Sequence, residues 1–127
     1  MAKSEATNSY LSYDLSAEVI DNIKSVLIER IPTAFGDEAV KAYLYGSCAR
    51  GDFGPDSDID IAVLFDCDRA EAQSYMSEAA RLSTDIAMNA MQVVNFACLP
   101  YDEFNDKKEW YPFYANIVKD GILIYER

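Results

Sequence analysis

The stretch from Ala39 to Phe65 restricts the fold more than any other part of the chain. It places two short apolar runs on either side of a connector rich in glycine and aspartate. Ala39 to Tyr45 reads as a strand, which Gly46 and Ser47 then interrupt. Residues 48 to 57, with Gly51, Gly54 and Pro55, hold too many turn formers to continue a regular element. Ile59 to Phe65 is a second strand by composition and alternation. Side chains alternate along a strand, so Ile59, Ile61, Val63 and Phe65 share the core face, and Asp58 and Asp60 share the other.

The flanking sequence supplies helices to cover these strands. Ser16 is placed to cap a helix running to Ile31, with Glu18 in its first turn. Val19, Ile23, Val26, Leu27 and Ile31 form its apolar stripe, and Pro32 and Gly36 end it. Asp68 and Glu71 form a capping box for a helix reaching about Ala90. Its inward residues are Tyr75, Met76, Ala79, Leu82, Ile86 and Ala87. Gln92 to Leu99 is a third strand. Pro112 suits the first turn of a last helix and Gly121 its end, before a final strand over Ile122 to Tyr125. This order predicts an α+β (α/β-like) fold, a small mixed sheet covered by helices. Residues 1 to about 13 are expected to be a loose lead-in, and 14–127 one domain around one core.

Composition narrows the chemistry. The chain has no histidine, so the commonest general base and transition-metal ligand are both absent. Three widely spaced cysteines, Cys48, Cys67 and Cys98, fit neither a disulfide framework nor a zinc site. Polar chemistry must therefore rest on carboxylates, which suit hard cations such as magnesium. The net charge of −11 repels a polymeric nucleic acid backbone and is easier to reconcile with a basic protein or a cationic small molecule. No apolar run is long enough for a membrane helix, and Met1 to Ser9 lacks a secretory apolar stretch, which predicts a soluble, cytoplasmic protein.

Two elements suggest a site. Gly46 has no Cβ, so the backbone there can approach a ligand and adopt positive φ. Ser47 follows where a short helix would start, and its N–H and hydroxyl can both face an anion such as phosphate. A lone Gly-Ser is more often an ordinary strand-to-helix turn. Asp58 and Asp60, projecting from one face, repel each other unless a cation lies between them. An isolated Asp-Ile-Asp is more often a solvated strand start.

Together the two elements carry more information, because ten residues separate Ser47 from Asp58. This spacing resembles the Gly-Ser, ten residues, Asp-x-Asp signature of the polymerase β nucleotidyltransferase superfamily. Gly-Ser-Cys-Ala-Arg-Gly is similar to the Gly-Ser-x-Ala-Arg-Gly form of the minimal nucleotidyltransferases. The resemblance extends through Asp102-Glu103-Phe104, Pro112 to Gly121 and Leu123 to Arg127, and so covers about Ala39 to Arg127. It implies a palm-like fold in which Gly46 and Ser47 hold the triphosphate of a nucleotide, ATP being the expected one. It implies that Asp58 and Asp60 hold magnesium, usually two ions, while an acceptor hydroxyl attacks the α-phosphorus and pyrophosphate leaves. Arg50 matches the family arginine, which either meets phosphate or pins the loop through a carboxylate.

The resemblance also exposes a departure. The family's third carboxylate should lie on the strand Gln92 to Leu99, and the matching position is Asn95. Asparagine is uncharged and a poorer metal ligand, so catalysis is expected to be weakened or absent, unless Asp85 reaches across from the preceding helix. Three functions compete. The family implies an antitoxin that transfers AMP to, or simply binds, an all-α HEPN-type partner. A small-molecule, aminoglycoside-type nucleotidyltransferase would suit the acidic charge. A nucleotide-binding or structural partner without catalysis would suit Asn95.

Overall fold

The computed structural model describes residues 14–127. The lead-in expected over residues 1 to about 13 lies outside the described residues. Helix α1 spans Ala17–Phe35, and a 3-10 turn, Gly36–Glu38, leads into strand β1, Ala39–Tyr45. A four-residue helix α2, Ser47–Arg50, precedes β2, Ile59–Phe65. Then follow α3, Arg69–Ser74; α4, Met76–Ala90; β3, Val94–Pro100; α5, Tyr101–Lys107; α6, Pro112–Asp120; and β4, Ile122–Glu126.

The four strands form one mixed sheet in the order β3-β2-β1-β4. β2 runs antiparallel to β1 and parallel to β3, and β4 is antiparallel to β1. The parallel β2–β3 pair requires a crossover, which α3 and α4 provide. Ile59, Ile61, Val63 and Phe65 face α1, α3 and α4 in one apolar cluster with Ile23, Leu27, Ile31, Ala79, Leu82 and Ile86. Ala62 and Leu64 face the opposite way, into a second cluster with Leu99, Phe104, Tyr114 and Ile117 of the β3 end, α5 and α6. The expected single core is thus two clusters, one on each face. β2 is buried on both faces from Ile61 to Phe65. Asp58 and Asp60 share the face of Ala62 and Leu64 but lie where the cover ends: Asp58 is exposed and Asp60 half-buried.

Local signals explain most boundaries. The Ser16 hydroxyl accepts the Val19 N–H at 3.2 Å, and the Asp68 carboxylate accepts that of Glu71 at 2.9 Å. Helix α1 does not stop at Ile31. It runs through Pro32 to Phe35, because the stripe continues four residues on and Phe35 is buried edge-on against Phe65. Proline removes one intrahelical donor there, and tertiary packing outweighs the loss. Val26, expected in that stripe, is exposed, and Ile20 is buried in its place. The expected continuous helix to Ala90 breaks at Tyr75, whose ring stacks on Phe65 at 4.2 Å while its hydroxyl donates to Glu38. Met76 consequently faces solvent. Strand β3 begins at Val94, two residues later than expected, after Met91 turns the chain with φ 58°.

Gly121 ends α6 for a reason other than positive φ. Its φ is −69°, but a Cβ there would lie 2.2 Å from the Ile117 carbonyl oxygen and 3.3 Å from the Tyr43 ring. The Ile117 carbonyl of the last helical turn, which the Gly121 N–H caps at 2.7 Å, leaves no room for a Cβ, and this rather than handedness requires glycine. No helix among the described residues is long and apolar enough to cross a membrane.

Candidate active site

The antiparallel register of β1 and β2 places Tyr45 opposite Asp60, so the turn after β1 passes directly over the start of β2. Gly46 has φ 74° and ψ −157°, and a Cβ added to it would lie 2.5 Å from Asp60 Oδ2. Conformation and space both call for glycine. α2 begins at Ser47. The N–H groups of Ala49 and Arg50 both bond to the Gly46 carbonyl at 3.1 Å, and that of Gly51 bonds to the Ser47 carbonyl at 2.9 Å. That leaves the N–H groups of Ser47 and Cys48, at the start of the turn, to face an anion.

The other side of the turn is anchored by Cys48, whose buried thiol donates to the Asp58 carbonyl at 3.5 Å. Burial and the Asp60 charge push its pKa up, so it remains a neutral thiol and packs as a small apolar group. In the connector the Gly54 N–H bonds to the Ser57 hydroxyl at 2.8 Å, and the Leu15 N–H to the Pro55 carbonyl at 3.0 Å. Cys48 and Ser57 were not singled out from sequence, since a lone cysteine and a loop serine carry no periodic signal.

Asn95 is the register partner of Asp60 on the parallel strand β3. Its carboxamide nitrogen donates to Asp58 Oδ2 at 3.1 Å and to Asp60 Oδ1 at 3.3 Å. Burial raises the Asp60 pKa and the Asp58 charge raises it further, while the Asn95 hydrogen bond and the Arg50 charge oppose both. Burial and Asp60 also push the Tyr45 phenol up to about 12, so it stays protonated beside the carboxylates. Asp85 is engaged elsewhere: it pairs with Arg30 of α1 at 2.9 Å, in the helix layer on the opposite face of the sheet. It therefore does not supply a third carboxylate.

Arg50 is bound to carboxylates. Its guanidinium reaches Asp52 at 3.2 Å and Asp120, at the end of α6, at 3.4 Å. Of the two roles open to it from sequence, pinning the loop is the one the geometry displays. Asp120 was not legible as a partner, because it lies 70 residues away in the chain.

The donor set suits a divalent cation. Two carboxylates from one strand start converge on a hydrogen-bond donor that sits between them, and a carboxamide also carries an oxygen. With phosphate oxygens added, such a set is all oxygen, as magnesium prefers. Among the described residues a second group of possible ligands, Glu38, Cys67 and Glu71, lies at the far end of β2. There a hydrogen bond to Glu38 and the Glu38 charge raise the Glu71 pKa.

Comparison with known proteins identifies the family. Residues 22–127 match the family described as "Polymerase beta, Nucleotidyltransferase". A relative from Methanocaldococcus jannaschii, named "Putative protein adenylyltransferase MJ0604", is 33% identical over 85 residues, 67% of this chain and 77% of its own. A crystal structure titled as a "putative nucleotidyltransferase" from Sulfolobus solfataricus superposes with a TM-score of 0.52 at 22% identity, covering 100% of this chain and 91% of that one. A mutant of the toxin-antitoxin MntA-HpeT gives 0.50 at 19% identity, covering 89% and 75%. At such identities the two structures speak for the fold alone. The chain belongs to the polymerase β nucleotidyltransferase family.

Proposed function

We propose that this chain binds a magnesium–nucleoside triphosphate, ATP in the first place, and transfers AMP to a hydroxyl of a protein partner. The partner we infer is an all-α HEPN-type protein, with this chain as the antitoxin. The observation that carries the proposal is the convergence of Asp58, Asp60 and Asn95 beside the Gly46–Ser47 turn. The name of the archaeal relative, a protein adenylyltransferase, supports AMP as the group and protein as the acceptor. The toxin-antitoxin title of the MntA-HpeT structure is consistent with a toxin partner.

In this reading Gly46 lets backbone meet the phosphates, and the Ser47 hydroxyl and the N–H groups of Ser47 and Cys48 bond them. Asp58 and Asp60 would hold magnesium, which supplies positive charge against the phosphate oxygens and the attacking hydroxyl. The acceptor oxygen bonds to the α-phosphorus, the bond from α-phosphorus to its bridging oxygen breaks, and pyrophosphate leaves. Asn95 has no basic atom for the hydroxyl proton. That specific feature favours a second reading, a nucleotide-binding partner with slow or absent transfer, which acts by binding.

The test is thermal unfolding with and without Mg·ATP. A ligand at 100 times its dissociation constant adds about 2.7 kcal/mol. The shift should vanish when Asp58→Ala and Asp60→Ala are combined. An unchanged shift in that double variant refutes the site.

A further inference from the structure

The turn that receives the nucleotide in this reading is a four-residue helix. A single helical turn is not stable alone and depends on its anchors. On its inner side the anchor is Cys48, bonded to the Asp58 carbonyl. On its outer side it is Arg50, whose fork is shared between Asp52 in the same loop and Asp120 at the end of α6.

Asp120 is an unusual choice for that position. A carboxylate in the last turn of a helix faces the negative end of the helix dipole and costs the helix stability. The Asp120 side chain is also only 19% exposed, so it gives up much of its hydration. The Arg50 guanidinium offsets both costs. The support beneath it is rigid: the Gly121 N–H bonds to the Ile117 carbonyl at 2.7 Å, and the position has no room for a Cβ against Ile117 and Tyr43. One residue further on, Ile122 pairs with Leu44 of β1, two residues before Gly46. The carboxylate therefore stands on the same strand framework as the turn.

We propose that Asp120 is a positioning residue, a strut that grips Arg50 from the end of α6 and holds the Gly46–Arg50 turn in the shape that receives the triphosphate. This rests on the nucleotide-site reading above. The competing account is a solvated surface ion pair with no effect on the turn.

The experiment uses the full chain in four forms: wild type, Asp120→Asn, Arg50→Gln and the double variant. Two quantities are read, the Mg·ATP dissociation constant by calorimetry and amide hydrogen exchange over residues 47–51 without nucleotide. Asp120→Asn should weaken Mg·ATP about two- to fivefold, the range of a partly exposed ion pair, and speed exchange in the turn. Asp120→Glu, which keeps the charge, should recover part of both. In the Arg50→Gln background the further effect of Asp120→Asn should disappear, because the strut is already cut. Unchanged exchange, tighter binding, or an equal loss in both backgrounds overturns the strut while leaving the nucleotide site standing. A wild type that binds no Mg·ATP overturns the nucleotide-site reading, and the positioning role with it.

Discussion

Gly46 and Asp60 compete for one space: a Cβ on Gly46 would lie 2.5 Å from Asp60 Oδ2. The nearest atom is the tip of a side chain, so Gly46→Ala forces the carboxylate to turn away instead of the backbone. The positive φ adds strain of about 1–3 kcal/mol. The variant should fold with a lowered Tm and lose the Mg·ATP-induced shift, because Asp60 no longer points beside Asp58. A variant that melts lower but keeps the full shift would show that the Asp60 orientation is immaterial to binding.

Much of this arrangement can be read from the residues, and the parts that cannot share a physical cause. The Ser16 and Asp68 caps and Pro112 at the start of α6 are local signals, and each sits where expected. The Gly46-Ser47 and Asp58-x-Asp60 spacing is likewise local to one β-hairpin-like unit. The second core was missed because alternation directs attention to one face. Ala62 and Leu64 complete a continuous apolar run, the mark of a strand buried on both sides. The path of α1 through Pro32 depends on Phe35 meeting Phe65, 30 positions later, and the grip on Arg50 depends on Asp120. Contacts of that separation leave no periodic trace.

The buried Tyr114 hydroxyl donates to Glu103 Oε2 at 2.6 Å, and this bond, with the charges of Arg69 and Lys107, lowers the Glu103 pKa against partial burial. The folded-state value therefore lies below the ordinary 4.5. Between the two values the unfolded chain binds more protons, so stability falls as pH drops through that window and is fully present above it. Tm should decline less steeply below pH 4.5 in Glu103→Gln than in wild type. Parallel acid limbs in the two proteins would show that Glu103 contributes nothing there.

Of the C-terminal aromatics, Phe104 and Tyr114 belong to the core, whereas Trp110, Tyr111 and Phe113 are 65%, 42% and 38% exposed. Phe113 also packs edge-on against Tyr45, beside the carboxylates. If this surface meets the partner, Trp110→Ser should change the stability of the isolated chain by no more than about 0.5 kcal/mol and still weaken co-purification with a helical partner. Undiminished co-purification would place the contact elsewhere.

Asn95 sets the last prediction. Its amide donates to both Asp58 and Asp60, so without a cation it relieves part of their repulsion. Replacing it with aspartate puts a third carboxylate within about 3–4 Å of two others, where like charges raise one another's proton affinity. Asn95→Asp should therefore melt lower than wild type in the presence of a chelator. Magnesium reverses the balance, since three carboxylates bind a hard cation better than two. The variant should regain its stability at lower magnesium concentration than wild type requires for a comparable shift. It also gains a basic oxygen that can accept the hydroxyl proton, so transfer of label from ATP to a genuine acceptor should rise from slow or undetectable. The wild type, by contrast, should bind nucleotide well and turn over poorly. Melting curves against magnesium separate this from a purely structural Asn95, which would give an Asn95→Asp variant equally destabilised with and without the ion. Robust wild-type transfer indifferent to position 95 would mean that the proton leaves by a route that does not involve Asn95.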